Sequence, residues 1–247
     1  GAGPAEKGRA VEKIERAGAL SSHRFRYYDF AMAATCVVIV CANIIGAGKV
    51  SQLSFETPFG DAPFLFTFGA GVLFFPLSYV LGDVLTEVYG YARARRVIWA
   101  GFASAAFAAG MAAFITAMPP APAWNVDLGG DQAGSRQTHG VVDLGGVDKQ
   151  TAFALNFGQA PRIVAASCFA IWAGELANAY VMARMKILTE GRHLWTRTIG
   201  STVVGQGVDT LLFYPLAFAG VWPAELIVAV MATNYALKVA WEALLAP

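Results

Sequence analysis

Apolar residues run through the chain in six long stretches: Phe30 to Gly48, Pro63 to Gly82, Val97 to Met118, Ile163 to Met185, Thr198 to Val221 and Ala224 to Leu245. A helix that crosses the hydrocarbon of a bilayer needs about 20 mostly apolar residues. Each stretch approaches or meets that length. The pattern therefore predicts an all-α, polytopic membrane protein with six transmembrane helices. The second and third stretches carry no charge in their interiors and are the plainest of the six. The fifth and sixth meet at Trp222-Pro223, a tight hairpin in which the proline can open the following helix.

Composition agrees with a lipid solvent. The 247 residues are 56% hydrophobic and only 14% charged, with a mean hydropathy of +0.50. A soluble domain of this length has about a quarter of its residues charged, too many for this chain to match. The few charges are unevenly placed. Lys7, Arg9, Lys13, Arg16, Arg24 and Arg26 precede the first stretch; Arg93, Arg95 and Arg96 follow the second; Arg184, Lys186, Arg192 and Arg197 follow the fourth. The alternate connections hold only Lys49, Arg136, Lys149 and Arg162. Because cytoplasmic loops carry the excess of Lys and Arg, both termini are expected in the cytoplasm. Residues 1–26 then form a cytoplasmic arm, opening on Gly1-Ala2-Gly3-Pro4, which reads as an expression scar. Residues 27–247 form the transmembrane domain, with a long external loop over 119–161. That loop repeats Val126-Asp-Leu-Gly-Gly at Val142-Asp-Leu-Gly-Gly; a flexible segment and a lid over an outer mouth are both open readings.

Several chemistries are excluded or lack their parts. A net charge of +1 gives no electrostatic footprint for nucleic acid. Cys36, Cys41 and Cys168 lie in apolar stretches without CxxC spacing or a neighbouring histidine, so no metal site, disulfide or cofactor is expected. Gly46-Ala-Gly48-Lys49 resembles the end of a P-loop, but residue 43 is Asn, residue 50 is Val, and the run follows a membrane span instead of a buried strand. His23, His139 and His193 all fall outside the spans, which leaves an intramembrane hydrolase without a base.

Polar groups within the spans are costly, about 2.5–3.5 kcal/mol for an Asp, Lys or Arg at a helix centre. The fourth span carries Glu175 and Asn178, and the fifth carries Gln206 and Asp209. Each pair is spaced i, i+3 and shares a helix face. Counted from opposite ends at about 1.5 Å per residue, the two pairs fall at one depth. A buried interhelical hydrogen-bond pair would explain one such coincidence. With Asn43 in the first span and Asn234 and Lys238 in the sixth, the pattern points to a polar cavity for a small molecule. Asp83 and Glu87, one turn apart at the end of the second span, repel each other. They read as an interfacial charge cluster or as a gate at the cytoplasmic end of that cavity.

Longer strings carry a resemblance. Phe75-Pro-Leu-Ser-Tyr-Val through Asp83-Val-Leu-Thr-Glu87-Val-Tyr-Gly90, then Ala94-Arg-Arg96, resembles the signature of the queuosine precursor transporter family, also called the vitamin uptake transporter family. Asn43-Ile-Ile with Lys49, Pro161-Arg-Ile163 with Ala166-Ser167, and Arg197-Thr-Ile-Gly-Ser201 through Gly205-Gln206, Asp209-Thr210 and Phe213-Tyr-Pro215 are similar to further family elements, in order. The chain departs from the family pattern where Glu175 and Asn178 stand for the family's Gln and Asp, and in the length of its external loop. The resemblance implies import of a 7-deazaguanine, in its 7-cyano or 7-aminomethyl form, for tRNA modification by salvage.

Physical chemistry is compatible with that ligand. A carboxylate can accept the adjacent N–H donors of a guanine-like edge. Phe74, Phe75, Tyr79 and Trp172 could offer stacking faces. A substrate-binding subunit that needs separate energising subunits, and a membrane-embedded enzyme, are the alternatives. The assembly, with a homodimer among its options, stays open.

Overall fold

The computed structural model of the chain describes residues 27–55, 64–125, 147–189 and 194–245. Residues 1–26, expected as a cytoplasmic arm, and both copies of the Val-Asp-Leu-Gly-Gly repeat lie outside the described residues. The membrane body is all-α, with one two-stranded hairpin set into it.

Helix α1 (Tyr28–Cys41) is apolar along most of its length, and the buried Thr35 hydroxyl donates to the Ala31 carbonyl at 2.8 Å. The helix does not run regularly to Gly48. Over Ala42–Gly46 it widens into a π-helical turn, where the Asn43 amide donates to the Ile39 carbonyl at 2.9 Å. Such turns are frequent at functional positions.

The second apolar stretch corrects the sequence reading. A single helix was expected over Pro63 to Gly82, but strand β2 (Phe64–Gly69) pairs antiparallel with β1 (Val50–Phe55), from Val50 opposite Gly69 to Phe55 opposite Phe64. The physical reason lies in Phe64-Leu-Phe-Thr-Phe68. Aromatic residues alternate there at period two, while Gly69 and Gly71 discourage a helix. An unbroken apolar run cannot by itself separate strand from helix. A 3-10 turn (Ala70–Phe74) follows, and helix α2 (Phe75–Tyr89) starts with Pro76 in its first turn. At Gly90, φ is 85°, a conformation glycine adopts without strain, and the chain reverses there into α3 (Tyr91–Ala117).

Within the range expected as external loop, helix α4 (Lys149–Phe157) is capped by Asp148, whose carboxylate accepts from the Thr151 N–H at 3.0 Å. Asn125 donates to the other Asp148 oxygen at 2.7 Å. Helices α5 (Ala160–Leu188), α6 (Leu194–Phe218) and α7 (Ala224–Leu245) complete the chain. The α6–α7 hairpin turns at Gly220, with Trp222 stacked on Phe218 at 3.7 Å between centroids. Arg162 closes the end of α6 by donating to the Leu216 and Ala219 carbonyls, each at 2.8 Å.

Four stretches among the described residues are long and apolar enough to cross a membrane: Tyr28–Gly46, Tyr91–Ala117, a window within Lys149–Leu188, and Ala224–Leu244. Leu77, Trp99, Phe107, Trp172 and Leu211 lie exposed, as an exterior in lipid tails permits.

Packing divides by level. Ala105, Ala109, Ala160 and Val164 form one cluster with Ile39, Val40, Ile44 and Cys168. A second joins Ile163, Ala166, Tyr214, Ala217, Phe218, Ile227 and Val230, with Ala47 and Val50 against it. Both tie the first three helices, or the hairpin beside them, to the last three, and both lie toward the end that carries Ala160, Phe218 and Ala224. At the Gly90 end, Leu85, Tyr89, Ala94 and Val97 join only α1, α2 and α3.

Candidate functional site

Helices α5 and α6 cross where each presents a glycine. A Cβ built on Gly174 would stand 2.9 Å from the Gly205 carbonyl oxygen and 3.1 Å from Asp209 Cβ. One built on Gly205 would stand 2.8 Å from Asn178 Cβ. Small residues let two helices approach this closely in a membrane. The glycines thus bring Glu175 and Asn178 on α5 to the level of Gln206 and Asp209 on α6, as the two i, i+3 pairs anticipated.

The sixth apolar stretch supplies the cation. Lys238 on α7 donates to Asp209 Oδ2 at 2.6 Å, with 18% and 14% of the two side chains exposed. Its ammonium also stands 5.7 Å from the centroid of the Phe75 ring, a cation–π distance. Tyr79 follows Phe75 one turn later, their rings tilted at 6.3 Å. The ion pair therefore lies at the first turn of α2, just past the point where the second apolar stretch stops being strand.

One turn before Lys238, Asn234 is buried and its amide bridges two elements. Its Oδ1 accepts from the Gly69 N–H at 3.2 Å, and its Nδ2 donates to the Tyr214 hydroxyl. A Cβ on Gly69 would reach within 2.9 Å of Asn234 Nδ2, so glycine is required for the approach. Non-helical backbone at membrane depth is tolerated only where it is buried in protein or lines a cavity. Asn234 meets that demand at the end of β2.

The remaining sequence-predicted positions divide. Asn43 lies in the π turn, which packs on the 3-10 turn through Gly46 and Gly71; a Cβ on Gly46 would be 2.7 Å from Gly71 Cα. The one hydrogen bond of its amide given by the structure goes to its own helix, and none joins it to Asp209. Asp83 and Glu87 lie one turn apart on α2; their side chains are outside the described part of the structure. Asn178 Oδ1 is buried with no hydrogen-bond partner among the described residues, and Thr210 Oγ1 is in the same condition. Among the aromatics, Phe75 stands by the ion pair with Tyr79 beside it, and Phe74 packs near Gly46, whereas Trp172 is exposed beside Phe169. Trp172 is therefore no stacking face, because it points away from the Gly174 side of α5.

Tyr214 and Gly69 were missed. The signal for them was the isolated Asn234 itself, since a buried amide in a membrane helix needs partners. Also missed were Thr202, which donates to the buried Glu242 carboxylate, and Tyr235, which donates to the Val203 carbonyl at 3.0 Å. These bonds fasten α7 to α6 along its second half.

Chemically, the group offers donors and acceptors side by side. One ammonium N–H of Lys238 is engaged by Asp209. Asp209 Oδ1 has no hydrogen-bond partner among the described residues. The Phe75 ring supplies an apolar face beside them. A flat, polar-edged molecule matches this set.

Comparison with known proteins places the chain. The pattern of the family described as "Putative vitamin uptake transporter" matches residues 69–247, from the Gly69 contact through the whole polar group. A curated relative, "Probable queuosine precursor transporter" of Bacillus subtilis (strain 168), is 28% identical over 202 residues, which is 81% of this chain and 73% of the relative. No solved structure matches. Family and relative alike point to a transporter and not to an enzyme. With a family pattern covering most of its length and an all-α membrane body, this chain belongs to the vitamin uptake transporter family.

Proposed function

We propose that this chain carries a queuosine precursor, a 7-deazaguanine base, inward across a bacterial inner membrane through six spans with both termini cytoplasmic. The ion pair of Asp209 and Lys238 beside Phe75, at the level where the second apolar stretch unwinds, is the observation that carries the reading. A guanine-type edge presents a ring carbonyl beside a ring N–H and an exocyclic amine. Lys238 donates to the carbonyl and Asp209 Oδ1 accepts from the N–H groups, both as charge-assisted hydrogen bonds. Phe75 stacks against the base. The relative's name supports the substrate class, and the family supports transport.

The six-span count rests on two additional crossings. Helix α6, with 25 residues, is long enough at about 1.5 Å per residue to pass a core of about 30 Å. Helix α2, with 15 residues, covers about 22 Å, and the 3-10 turn with β2 supplies the remainder. The Lys and Arg distribution supports that count, because every Arg-rich connection then falls on one side.

The test is restoration. Cells that cannot make deazaguanines and lack their own importer should regain queuosine in tRNA when they express this chain and are fed the precursor. No restoration despite good expression in the membrane overturns the proposal.

A further inference from the structure

A carboxylate stands at the middle of α5 that the proposed base contacts do not use. Glu175 lies about 22 Å from the Ala160 end of the helix and about 20 Å from the Leu188 end at about 1.5 Å per residue, so it sits near the centre of a core about 30 Å thick. Val164, Cys168, Ile171 and Glu175 form one stripe along α5. The first two of these belong to the cluster that packs on α3 and α1. At Glu175 the stripe has passed that cluster, and its side chain is exposed. The Gly90-end cluster at this side joins only α1, α2 and α3 among the described residues, so no member of it covers the stripe.

Glu175 has no ion pair or hydrogen bond among the described residues, because Lys238 is engaged by Asp209 at 2.6 Å. One turn along, Asn178 Oδ1 is buried without a partner, and Thr210 Oγ1, next to Asp209, is likewise unsatisfied. Among the described residues of the elements packed on α5, only α6 brings a charge to this level, that of Asp209, with Lys238 behind it from α7. The ionisable residues of α3 stand in its first two turns, at Tyr91, Arg93, Arg95 and Arg96. Those of α1 are Tyr28 and Asp29 in its first turn and the thiols Cys36 and Cys41.

Two carboxylates and one ammonium leave one negative charge at mid-membrane, which a low-dielectric passage strongly disfavours. A proton removes that charge. The geometry points to Glu175 as a proton-binding site that couples inward movement of one base to inward movement of one proton. On the outer side a proton from water forms an O–H bond on the Glu175 carboxylate, and the three-residue group becomes neutral. On the inner side that bond breaks and the proton returns to water. The inference rests on the transport reading above, and it adds the driving force.

The test uses the full purified chain in lipid vesicles with 7-cyano-7-deazaguanine, whose neutral side group cannot supply the missing charge itself. Counterflow without a gradient reports transport; accumulation under an inside-alkaline gradient reports coupling. For the wild type, accumulation should reach as much as tenfold per unit of pH gradient, the limit for one proton per neutral base, and a protonophore should abolish it. In Glu175→Gln, the accumulation ratio read against counterflow in the same vesicles should fall to one. Glu175→Asp, which keeps a carboxylate, should restore a ratio that follows the gradient. Counterflow without accumulation in the wild type, or Glu175→Gln accumulating as the wild type does, overturns the coupling. So does a Glu175→Gln variant whose sole defect is weaker binding of the 7-aminomethyl base, which would make Glu175 a substrate contact. Absence of wild-type counterflow removes the transport reading, and the coupling falls with it.

Discussion

Asp209→Asn separates a ligand contact from a helix tie. The change keeps the shape of the side chain but withdraws the charge that Lys238 faces at 2.6 Å. With 14% and 18% of the two side chains exposed, the pair is largely withdrawn from solvent. Removing one partner of a fully buried pair costs about 3–5 kcal/mol, and an exposed pair is worth about 1 kcal/mol or less. The remaining exposure places Asp209→Asn between these, at about 2–3 kcal/mol of stability. If Asp209 Oδ1 also accepts from the base, losing a charged hydrogen bond worth about 1.5–3 kcal/mol weakens binding about 10- to 150-fold.

Lys238→Met added to Asp209→Asn distinguishes the two contributions. The double variant no longer leaves an uncompensated ammonium, so most of the melting temperature should return. Affinity should not return, because both the acceptor and the donor for the base edge are gone. Thermal unfolding in detergent and equilibrium binding of labelled deazaguanine read the two quantities on the same samples. An Asp209→Asn protein that binds with unchanged affinity refutes the assignment of the ion pair to the ligand. A double variant that recovers both stability and binding makes the pair a structural tie.

Other expectations are more local. Gly205→Ala places a Cβ 2.8 Å from Asn178 Cβ and 3.0 Å from the Gly174 carbonyl oxygen, and should cost about 1–3 kcal/mol as overpacking. Gly207→Ala meets nothing nearer than Tyr235 Cε2 at 3.7 Å; equal melting of the two variants would contradict the close crossing. Asn234→Leu orphans the Gly69 N–H and removes the donor to Tyr214, an expected loss of about 1–3 kcal/mol for each buried group left unpaired, against little change for Thr233→Ala, whose hydroxyl bonds only the Ala229 carbonyl of its own helix. Hydrogen bonds from Thr151 and then Asn125 hold the Asp148 carboxyl below its ordinary value of 3.8. Since the folded value is the lower one, the cap stabilises α4 above the unfolded value and is lost as pH falls through the folded one. Amide exchange in α4, corrected for intrinsic rate, should therefore accelerate only below about pH 4, and protection in Asp148→Ala equal to the wild type would dismiss the cap. Single cysteines at Gly134 and Gly191, in a background without the three native ones, should label from opposite sides of the membrane; labelling from one side would end the six-span proposal.

The sequence displayed its helices through length alone. The first, third, fourth, fifth and sixth apolar stretches correspond to α1 with its π turn, α3, α5, α6 and α7, with ends displaced by a few residues. It concealed the second because the period-two alternation of Phe64, Phe66 and Phe68 is embedded in an otherwise apolar run, which satisfies a lipid span as readily as a strand. The polar level was legible for the same reason that it is costly: Glu175, Asn178, Gln206 and Asp209 interrupt helices that otherwise contain none of their kind. Partnership was not legible. Asp209 and Lys238 are separated by 29 positions and Gly69 and Asn234 by 165, and no periodicity within one helix reports which neighbour faces it. Tyr214 was hidden differently, as one aromatic in a span rich in them.

The two departures from regular helix explain where the polar group had to form. The π turn at Ala42–Gly46 and the unwound segment at Gly69–Phe74 lie against each other at Gly46 and Gly71. Each exposes backbone groups that lipid cannot satisfy. The Ala70 N–H finds the Lys49 carbonyl at 2.8 Å, within the hairpin, but the Gly69 N–H must reach to α7 and Asn234. The residue that satisfies this strand end thus stands one turn from the residue that pairs with Asp209. Any motion that separates α7 from the hairpin must break the Asn234 bond to Gly69 in a region without water, or carry β2 along. The second course costs less, because a retained buried hydrogen bond avoids the desolvation penalty of two orphaned groups. Hairpin and α7 should therefore move as one body when the base passes, and α6 with them, because Asp209, Thr202 and Val203 hold α6 to α7.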